Sequence, residues 1–558
     1  MFASNNFFRK NKIHEFRCIL SGFEKMSEID FRKINYLRKK LFNLDYKIPK
    51  FNFLNFFVQN KYLIEVTSLK IKDIFFNDNG RFRIFSQEII KSHAAQKYKQ
   101  NLKLGCPNIA LKFLKKNDYK VNFFYSTIMW YIFILANFSH GIFLGIKTLF
   151  VNIISREKIN HNKFVFCEMN YSKEEILKFN YQSNFFFLNK IIDYFKIQNS
   201  KIIFKDFFSL TSFNEKNVDK VKSNIVLLKY THLPYFDSLL QLFYFFIWFV
   251  FSSFFIIILL LIGKWSYSLI FYDIVEDKIH RITSYKYIPS LYVKPYMGSL
   301  HKPLWTYYAE EKKMKSYFIF YSTNESGYPT NKHIPIDESN RAQLKWKNYL
   351  VWDDYQGSVI LKNVINNPAV HVLGPMLINV QSDEKKYFLR DKKYISIFDI
   401  APKRKIKACM QGGYYTTIFA NFMNQFLLDI SDLSEKYKIH ILHKPKRDLN
   451  KLSKGNIILK ENKSYNAILN KINKREYFKS VPANFDLKHL VDNSLATICY
   501  PYTSVALISK ELKKETIFYD SSLEIIDNKD FSRNLKLISG KQELDSWFSK
   551  ILSNQKIS

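Results

Sequence analysis

Residues His489–Asp520 read HLVDNSLATICYPYTSVALISKELKKETIFYD. Ala496–Tyr500 (ATICY) is a continuous short apolar run, the mark of a strand buried on both faces. Pro501 cannot continue a strand ladder, and Thr503 or Ser504 is a good N-cap for a helix over Ser504–Leu512. Glu515–Tyr519 (ETIFY) is a second buried strand. A strand, a capped helix and a strand in so short a span form a crossover unit, which requires parallel pairing.

Working outward, the same alternation continues. Asp486–Val491 predicts a helix. Upstream, Tyr394–Ile400 (YISIFDI) predicts a strand ended by Ala401-Pro402, followed by Gly412-Gly413 and an amphipathic helix over Thr416–Tyr437. Ile439–His443 (IHILH) predicts a strand that runs into Lys444-Pro445-Lys446-Arg447, and Asn456–Leu459 (NIIL) a further one. Residues 394–558 therefore read as a Rossmann-like layered unit. The charged stretch 377–393 before it is the best candidate for an interdomain linker. Between 265 and 376 the pattern is again α/β, with Tyr317–Tyr321, Tyr349–Trp352 and His371–Leu373 as short apolar strands.

The chain has 558 residues, so two or more globular units are expected. Apolar residues make up 47% and charged residues 24%, enough for sizeable cores and unlike a disordered chain. Lys and Arg number 85 against 49 acids, a net charge of +36. Such a surplus suits anionic partners: a membrane face or sugar phosphates. Nucleic acid fits least, because the lysines are spread along the whole chain and no helix-turn-helix, RRM or finger pattern is present. Five scattered cysteines without CxxC spacing argue against a zinc site or a disulfide framework, and fit a reducing cytoplasm. The first residues lack a signal-peptide layout.

Two apolar runs interrupt the first half. Leu242–Gly263 carries no charge over 22 residues, long enough at ~1.5 Å per residue to cross a bilayer core. Phe123–Ile146 is also uncharged but holds Ser126, Thr127, Asn137, Ser139 and His140. Two full spans would put the Lys- and Arg-rich residues 156–238 across the membrane, against the usual retention of positive loops. Lys163–Cys167 and Asn224–Leu228 in that loop also read as buried strands. A helical hairpin that dips into or lies on the cytoplasmic leaflet is the expected arrangement. The organisation is then 1–120, a basic N-terminal α/β part; 121–155, a hydrophobic helix, interfacial or spanning; 156–238, an α/β part of the N-terminal domain; 239–264, a hydrophobic membrane helix; 265–376, the rest of the N-terminal domain; 377–393, the linker; and 394–558, a C-terminal nucleotide-binding domain.

In an open α/β sheet, ligands bind outside the carboxyl ends of the strands. Three segments meet there. Thr503 and Ser504 offer hydroxyls and free N–H groups at a helix start, suited to phosphate or simply to capping. His443, Lys444 and Arg447 bring cations to the same edge, or form a solvated turn. Asp520 could hold a ribose hydroxyl or serve as a turn residue.

The run His489–Asp520, with its helix, strand, Pro-aromatic-Thr-Ser, helix and strand ending Tyr519-Asp520, resembles the C-terminal half of GT-B glycosyltransferases of bacterial surface-carbohydrate (capsule or O-antigen) biosynthesis. Ser396–Pro402 (SIFDIAP), Leu537–Phe548 (LISGKQELDSWF), Tyr321-Ser322-Thr323-Asn324, Leu350–Asp353 and Gly374-Pro375 share in it, so that it covers roughly residues 290–558. A looser similarity to wall-teichoic-acid glycerophosphotransferases lacks their acidic turn residue. The resemblance implies two Rossmann-like domains facing a cleft and a nucleotide-sugar donor held mainly by the second. It also implies transfer to a lipid-linked or glycan acceptor, without metal or other cofactor. An inverting transferase needs a base in the N-terminal domain; the candidates are Asp353, which ends a strand-like run, Glu310 or Glu311, and His301. A nucleotide-sugar epimerase on the same fold and a non-catalytic membrane scaffold of a polysaccharide assembly complex are the competing readings.

Overall fold

The computed structural model describes scattered positions between 33 and 46, then residues 62–76, 102–154, 164–167, 194–195, 201–204, 225–226, 233–295, 301–323 (except 321), 344–375 (except 365 and 366), 393–400, 420–446 and 459–556 (except 484 and 502). The linker over 377–393 lies almost wholly outside them, as do Arg447 and the expected strand residues 456–458.

Two parallel sheets organise the chain. The first joins β1 (Phe164–Cys167), β2 (Lys201–Phe204), β3 (Ile225–Val226), β4 (Leu291–Pro295), β5 (Lys315–Ile319), β6 (Asn348–Val351) and β7 (Ala369–Val372), in the order β3-β2-β1-β4-β5-β6-β7. The second joins β8 (Tyr394–Phe398), β9 (His440–Lys444), β10 (Phe478–Ser480), β11 (Ala496–Cys499), β12 (Glu515–Asp520) and β13 (Lys536–Ser539), in the order β10-β9-β8-β11-β12-β13. In each, the chain starts in the middle, builds to one edge, then returns to build the other. The direction of winding thus reverses between the first and fourth strands, the arrangement that opens a ligand crevice in Rossmann folds.

Alternation along each strand fills two cores per sheet. In the second sheet Ile395, Ile397, Ile441, Ile498, Ile517 and Ile538 face one cluster, with helices α9 (Ala420–Tyr437), α10 (Leu459–Ile472) and α14 (Lys541–Lys556) on that side. Phe398, Leu442, Cys499, Phe518 and Leu537 face the other. That second cluster also takes in Val293, Ile319, Leu350 and Trp352 of the first sheet, so one apolar core is shared between the halves. Leu459 opens α10 and is not the end of a strand; the edge strand is β10 instead. Its residues, Phe-Lys-Ser, give no apolar run to detect.

Helices α1 (Leu63–Phe76) and α2 (Asn108–Lys116) precede the two long apolar helices α3 (Phe123–Ile154) and α4 (Leu239–Leu261). These two are antiparallel. Phe236, before α4, donates its N–H to Asn152 near the end of α3 at 2.7 Å, while Trp265, after α4, packs edge-on against Trp130 near the start of α3. Gly145 makes the close approach of α4 possible, and Gly141 that of the helix starting at Phe271. A Cβ on Gly145 would lie 2.1 Å from a ring carbon of Phe249, and one on Gly141 would lie 2.8 Å from the backbone nitrogen of Tyr272. This is the small-xxx-small spacing that lets helix backbones approach. Both helices are buried along one stripe, Trp130, Ile134 and Phe138 on α3 and Phe245, Trp248, Phe249 and Ile256 on α4. The stripe packs on α1, α2 and the short helices α5 (Ser266–Leu269) and α6 (Phe271–Ile282).

Strand pairing fixes what lies on the two sides of α4. β1 follows α3 and β4 follows α4, yet β1 and β4 are hydrogen-bonded neighbours. The chain on either side of α4 therefore belongs to one sheet.

Candidate nucleotide and acceptor site

At the winding reversal of the second sheet, β8 and β11 pair directly, with Phe398 opposite Cys499. The residues that leave their carboxyl ends are Asp399 and Tyr500-Pro501. Tyr500 donates its N–H to the Phe398 carbonyl at 2.8 Å, and Thr503 then N-caps α12 (Ser504–Glu511). Its side chain forms no capping hydrogen bond. Its buried Oγ1 meets no hydrogen-bond partner among the described residues beyond the weakly interacting Cys499 thiol. The start of α12 thus places the positive end of its dipole at the winding reversal, with the Thr503 hydroxyl beside it, features that suit an anion.

Asp399 organises the neighbouring edge. His443, at the end of β9, is fully buried; its Nε2 lies 3.0 Å from Asp399 Oδ2 and its Nδ1 3.0 Å from Ser480 Oγ at the end of β10. The Tyr465 hydroxyl donates to the same Asp399 oxygen, and the Lys446 backbone N–H donates to Oδ1 at 2.9 Å. The network pins the turn that carries Lys444 and Lys446. Lys444 Nζ donates to the Ala483 carbonyl at 2.7 Å, and burial lowers its pKa against the pull of Asp399 and Asp486. Lys446 is exposed. His443 is therefore a framework residue under the basic turn. Sequence reading missed Asp399, Tyr465 and Ser480 as its partners; the detectable signal was an acid placed immediately after a fully buried strand.

Asp520 is also fully buried. Its Oδ1 accepts from the N–H and hydroxyl of Ser522 at 2.8 and 2.6 Å, and its Oδ2 from the Ile525 N–H at 3.0 Å. Both oxygens are committed to the loop after β12, the turn role that was one of its two readings.

The three N-terminal base candidates differ sharply. Asp353 caps α8 (Asp354–Asn363), accepting the Gln356 N–H on Oδ1 at 2.7 Å, while Arg533 Nε binds its Oδ2 at 2.9 Å. Arg533 lies in the other half of the chain, after α13 (Lys529–Ser532), and stacks 4.3 Å over the Tyr355 ring. Asp353 is thus a clasp between the halves. Glu310, in the last turn of α7 (Leu304–Glu311), sits beside Ser316 at the amino end of β5, held by Lys302 at 2.5 Å and Lys347 at 3.1 Å. That is the wrong edge of the sheet for the crevice. His301 follows the carboxyl end of β4, where the first sheet reverses its winding. Its Nε2 lies 4.0 Å from Asp273 Oδ1 on α6, and Asp273 is also bound by Lys70. Among the described residues no group of three His, Cys, Asp or Glu side chains is arranged to hold a metal ion.

Several solved structures align with the chain. They include UDP-GlcNAc 2-epimerase of Methanocaldococcus jannaschii with UDP-GlcNAc and UDP (12% identity, 70% of this chain and 92% of that one, TM-score 0.37) and a glycosyltransferase from Rickettsia africae (12%, 70% and 88%, 0.36). Anabaena HepE with UDP and glucose aligns at 9% identity over 70% and 90%, TM-score 0.35. No curated protein matches in sequence. Residues 248–548 match the family model described as polysaccharide biosynthesis PFTS motif protein. Within them, Pro501-Tyr502-Thr503-Ser504 spells Pro-Phe-Thr-Ser with tyrosine for phenylalanine. With more than half its length in that match, the chain, built on two parallel sheets, belongs to the polysaccharide biosynthesis PFTS motif family.

Proposed function

We propose that this protein is a glycosyltransferase that moves a sugar from a nucleotide-sugar donor to a lipid-linked or growing surface-glycan acceptor at the cytoplasmic leaflet of a bacterial membrane. The carrying observation is the start of α12, with the Thr503 hydroxyl, at the winding reversal of the second sheet of a chain in a polysaccharide-biosynthesis family. In this reading the donor diphosphate sits against Thr503, Ser504 and the N–H groups behind them. Lys444, Lys446 and Arg447 offset the charge that builds on the leaving nucleoside diphosphate.

The acceptor lies against the first sheet. His301 is the group best placed to take its hydroxyl proton, with the Asp273 carboxylate 4.0 Å away to offset the charge the ring then gains. The acceptor oxygen bonds to the anomeric carbon as the carbon–phosphate oxygen bond breaks. The proton passes to His301 and the electron pair leaves on the diphosphate. An epimerase on this fold would act on a soluble substrate and leave the apolar faces of α3 and α4 without a purpose.

A thermal-shift screen against UDP-, GDP-, CMP- and CDP-linked sugars should find one class that stabilises the protein, by ~2.7 kcal/mol at 100 times its dissociation constant. The double substitution Thr503→Ala with Ser504→Ala should remove that shift while leaving the unliganded melting temperature nearly unchanged. Unaltered nucleotide-sugar binding in this variant would overturn the assignment.

A further inference from the structure

The outward faces of α3 and α4 carry most of the exposed large hydrophobic side chains among the described residues. On α3 they include Phe124 (79% exposed) and Phe150 (63%), and on α4 Leu239 (82%), Phe254 (65%) and Leu261 (80%). Each helix has exposed apolar side chains at both ends, so neither end alone is the membrane-facing part. The inward stripe is packed on protein along the same length. The hairpin therefore lies along the body of the molecule, with a flat apolar plane about 48 Å long facing away from it. Soluble surfaces rarely expose more than a few hundred Å² of contiguous apolar area.

Topology excludes a crossing by α4. β1 and β4 are adjacent strands, and the 29 residues between α4 and β4 hold only α5, α6 and a short 3-10 turn packed in the protein. A helix that crossed the bilayer would put hydrogen-bonded neighbours on opposite sides. Cations gather, among the described residues, at one end of the hairpin. Lys103, Lys112, Lys115, Lys116, Lys120 and Lys264 are all exposed around the start of α3 and the end of α4. Lys103 lies over the Tyr125 ring and Lys115 over the Phe123 ring, so apolar plane and cations meet at one boundary. Lysines bordering an embedded apolar face bind anionic headgroups, each adding ~1 kcal/mol near a charged leaflet.

We infer that α3 and α4 embed side by side in the plane of one leaflet, crossing nothing, and that the lysine border makes this docking selective for anionic lipid. The inference rests on the membrane part of the proposed function and not on its sugar chemistry.

The full chain should float with vesicles of phosphatidylcholine containing phosphatidylglycerol, and roughly tenfold or more weakly with phosphatidylcholine alone. Leu240→Asp, Phe243→Asp and Phe251→Asp together should abolish flotation without changing the circular dichroism melt, since all three side chains point outward. Spin labels on F124C, L135C and F150C of α3, and F243C, F254C and L261C of α4, should report one shallow depth. A depth profile that peaks at mid-helix would mean spanning helices and overturn the inference. So would equal binding to neutral vesicles, for its lipid selectivity, or a dimer that the three aspartates convert to monomer, for its occupant. A chain that floats but transfers no sugar would leave this inference standing and overturn the proposed activity. One that transfers sugar to a soluble glycan and never floats would do the reverse.

Discussion

Asp353 holds a helix start with one oxygen and an arginine from the other half of the chain with the second. Losing it removes both. Asp353→Ala should cost ~0.5–2 kcal/mol from the cap alone and should also release Arg533. Asp353→Ser restores the cap but not the ion pair, so the gap between the two melting temperatures measures the clasp. His301 belongs to a different kind of test. His301→Ala should lower transfer by ~10²–10⁴ with donor affinity retained, and Asp273→Asn should lower it less and move the pH profile, because the carboxylate acts through the imidazole. Retention of full turnover by His301→Ala would remove it from the mechanism. Lys444 adds a pH signature. Burial lowers its pKa, so its positive charge is lost as pH rises toward the ordinary lysine value of about 10.4. Only the ammonium attracts a diphosphate. Donor affinity, followed by calorimetry, should therefore weaken on the alkaline side, and Lys444→Met should flatten that limb.

Among the elements, α3 is where helix propensity and packing disagree most. Gly141 and Gly145 cost helix stability relative to alanine, yet each sits where a neighbour leaves no room for a Cβ. Gly145→Ala should destabilise the hairpin by ~1–3 kcal/mol, because Phe249 must move. In a Phe249→Ala background the same change should cost much less, and that coupling, from a double-mutant cycle of thermal melts, identifies the contact. An equal cost in both backgrounds would mean that Phe249 is not the obstacle. The second sheet shows what local pattern can and cannot reveal. Its mostly apolar strands β8, β9, β11 and β12 were readable within one or two residues, since three to five consecutive buried positions leave little alternative. β10 was not, because an edge strand of three residues needs only one buried side chain, Phe478. The apolar NIIL stretch drew the assignment instead, although its Leu459 begins a helix.

At the scale of the molecule, the two faces of the second sheet each have a core, and one of these is shared with the first sheet. A fragment spanning 393–558 should fold cooperatively, with a melting temperature below that of the full chain because the shared face is partly uncovered. It should still bind the donor class found for the intact protein. A fragment that remains unfolded would show that the shared cluster, and not the sheet, is the unit of cooperativity. Donor binding that requires the full chain would place the diphosphate contacts in both halves.

Sequence by itself determined the parallel α/β class, the two apolar helices, and the Pro501–Ser504 turn between strand and helix. Each depends on neighbours within about twenty residues, where periodicity and turn chemistry act directly. Only tertiary structure decided which acids and cations are available. Asp353 meets an arginine 180 residues away, Asp399 meets His443 and Tyr465 across the sheet edge, and Glu310 is buried among lysines at the amino ends of the strands. A carboxylate's chemistry depends on what neutralises it, and no local pattern encodes a partner so distant in the chain. The same holds for the two apolar helices: hydropathy makes them long and apolar enough to cross a bilayer, and only the pairing of β1 with β4 shows that the chain on both sides of α4 belongs to one sheet.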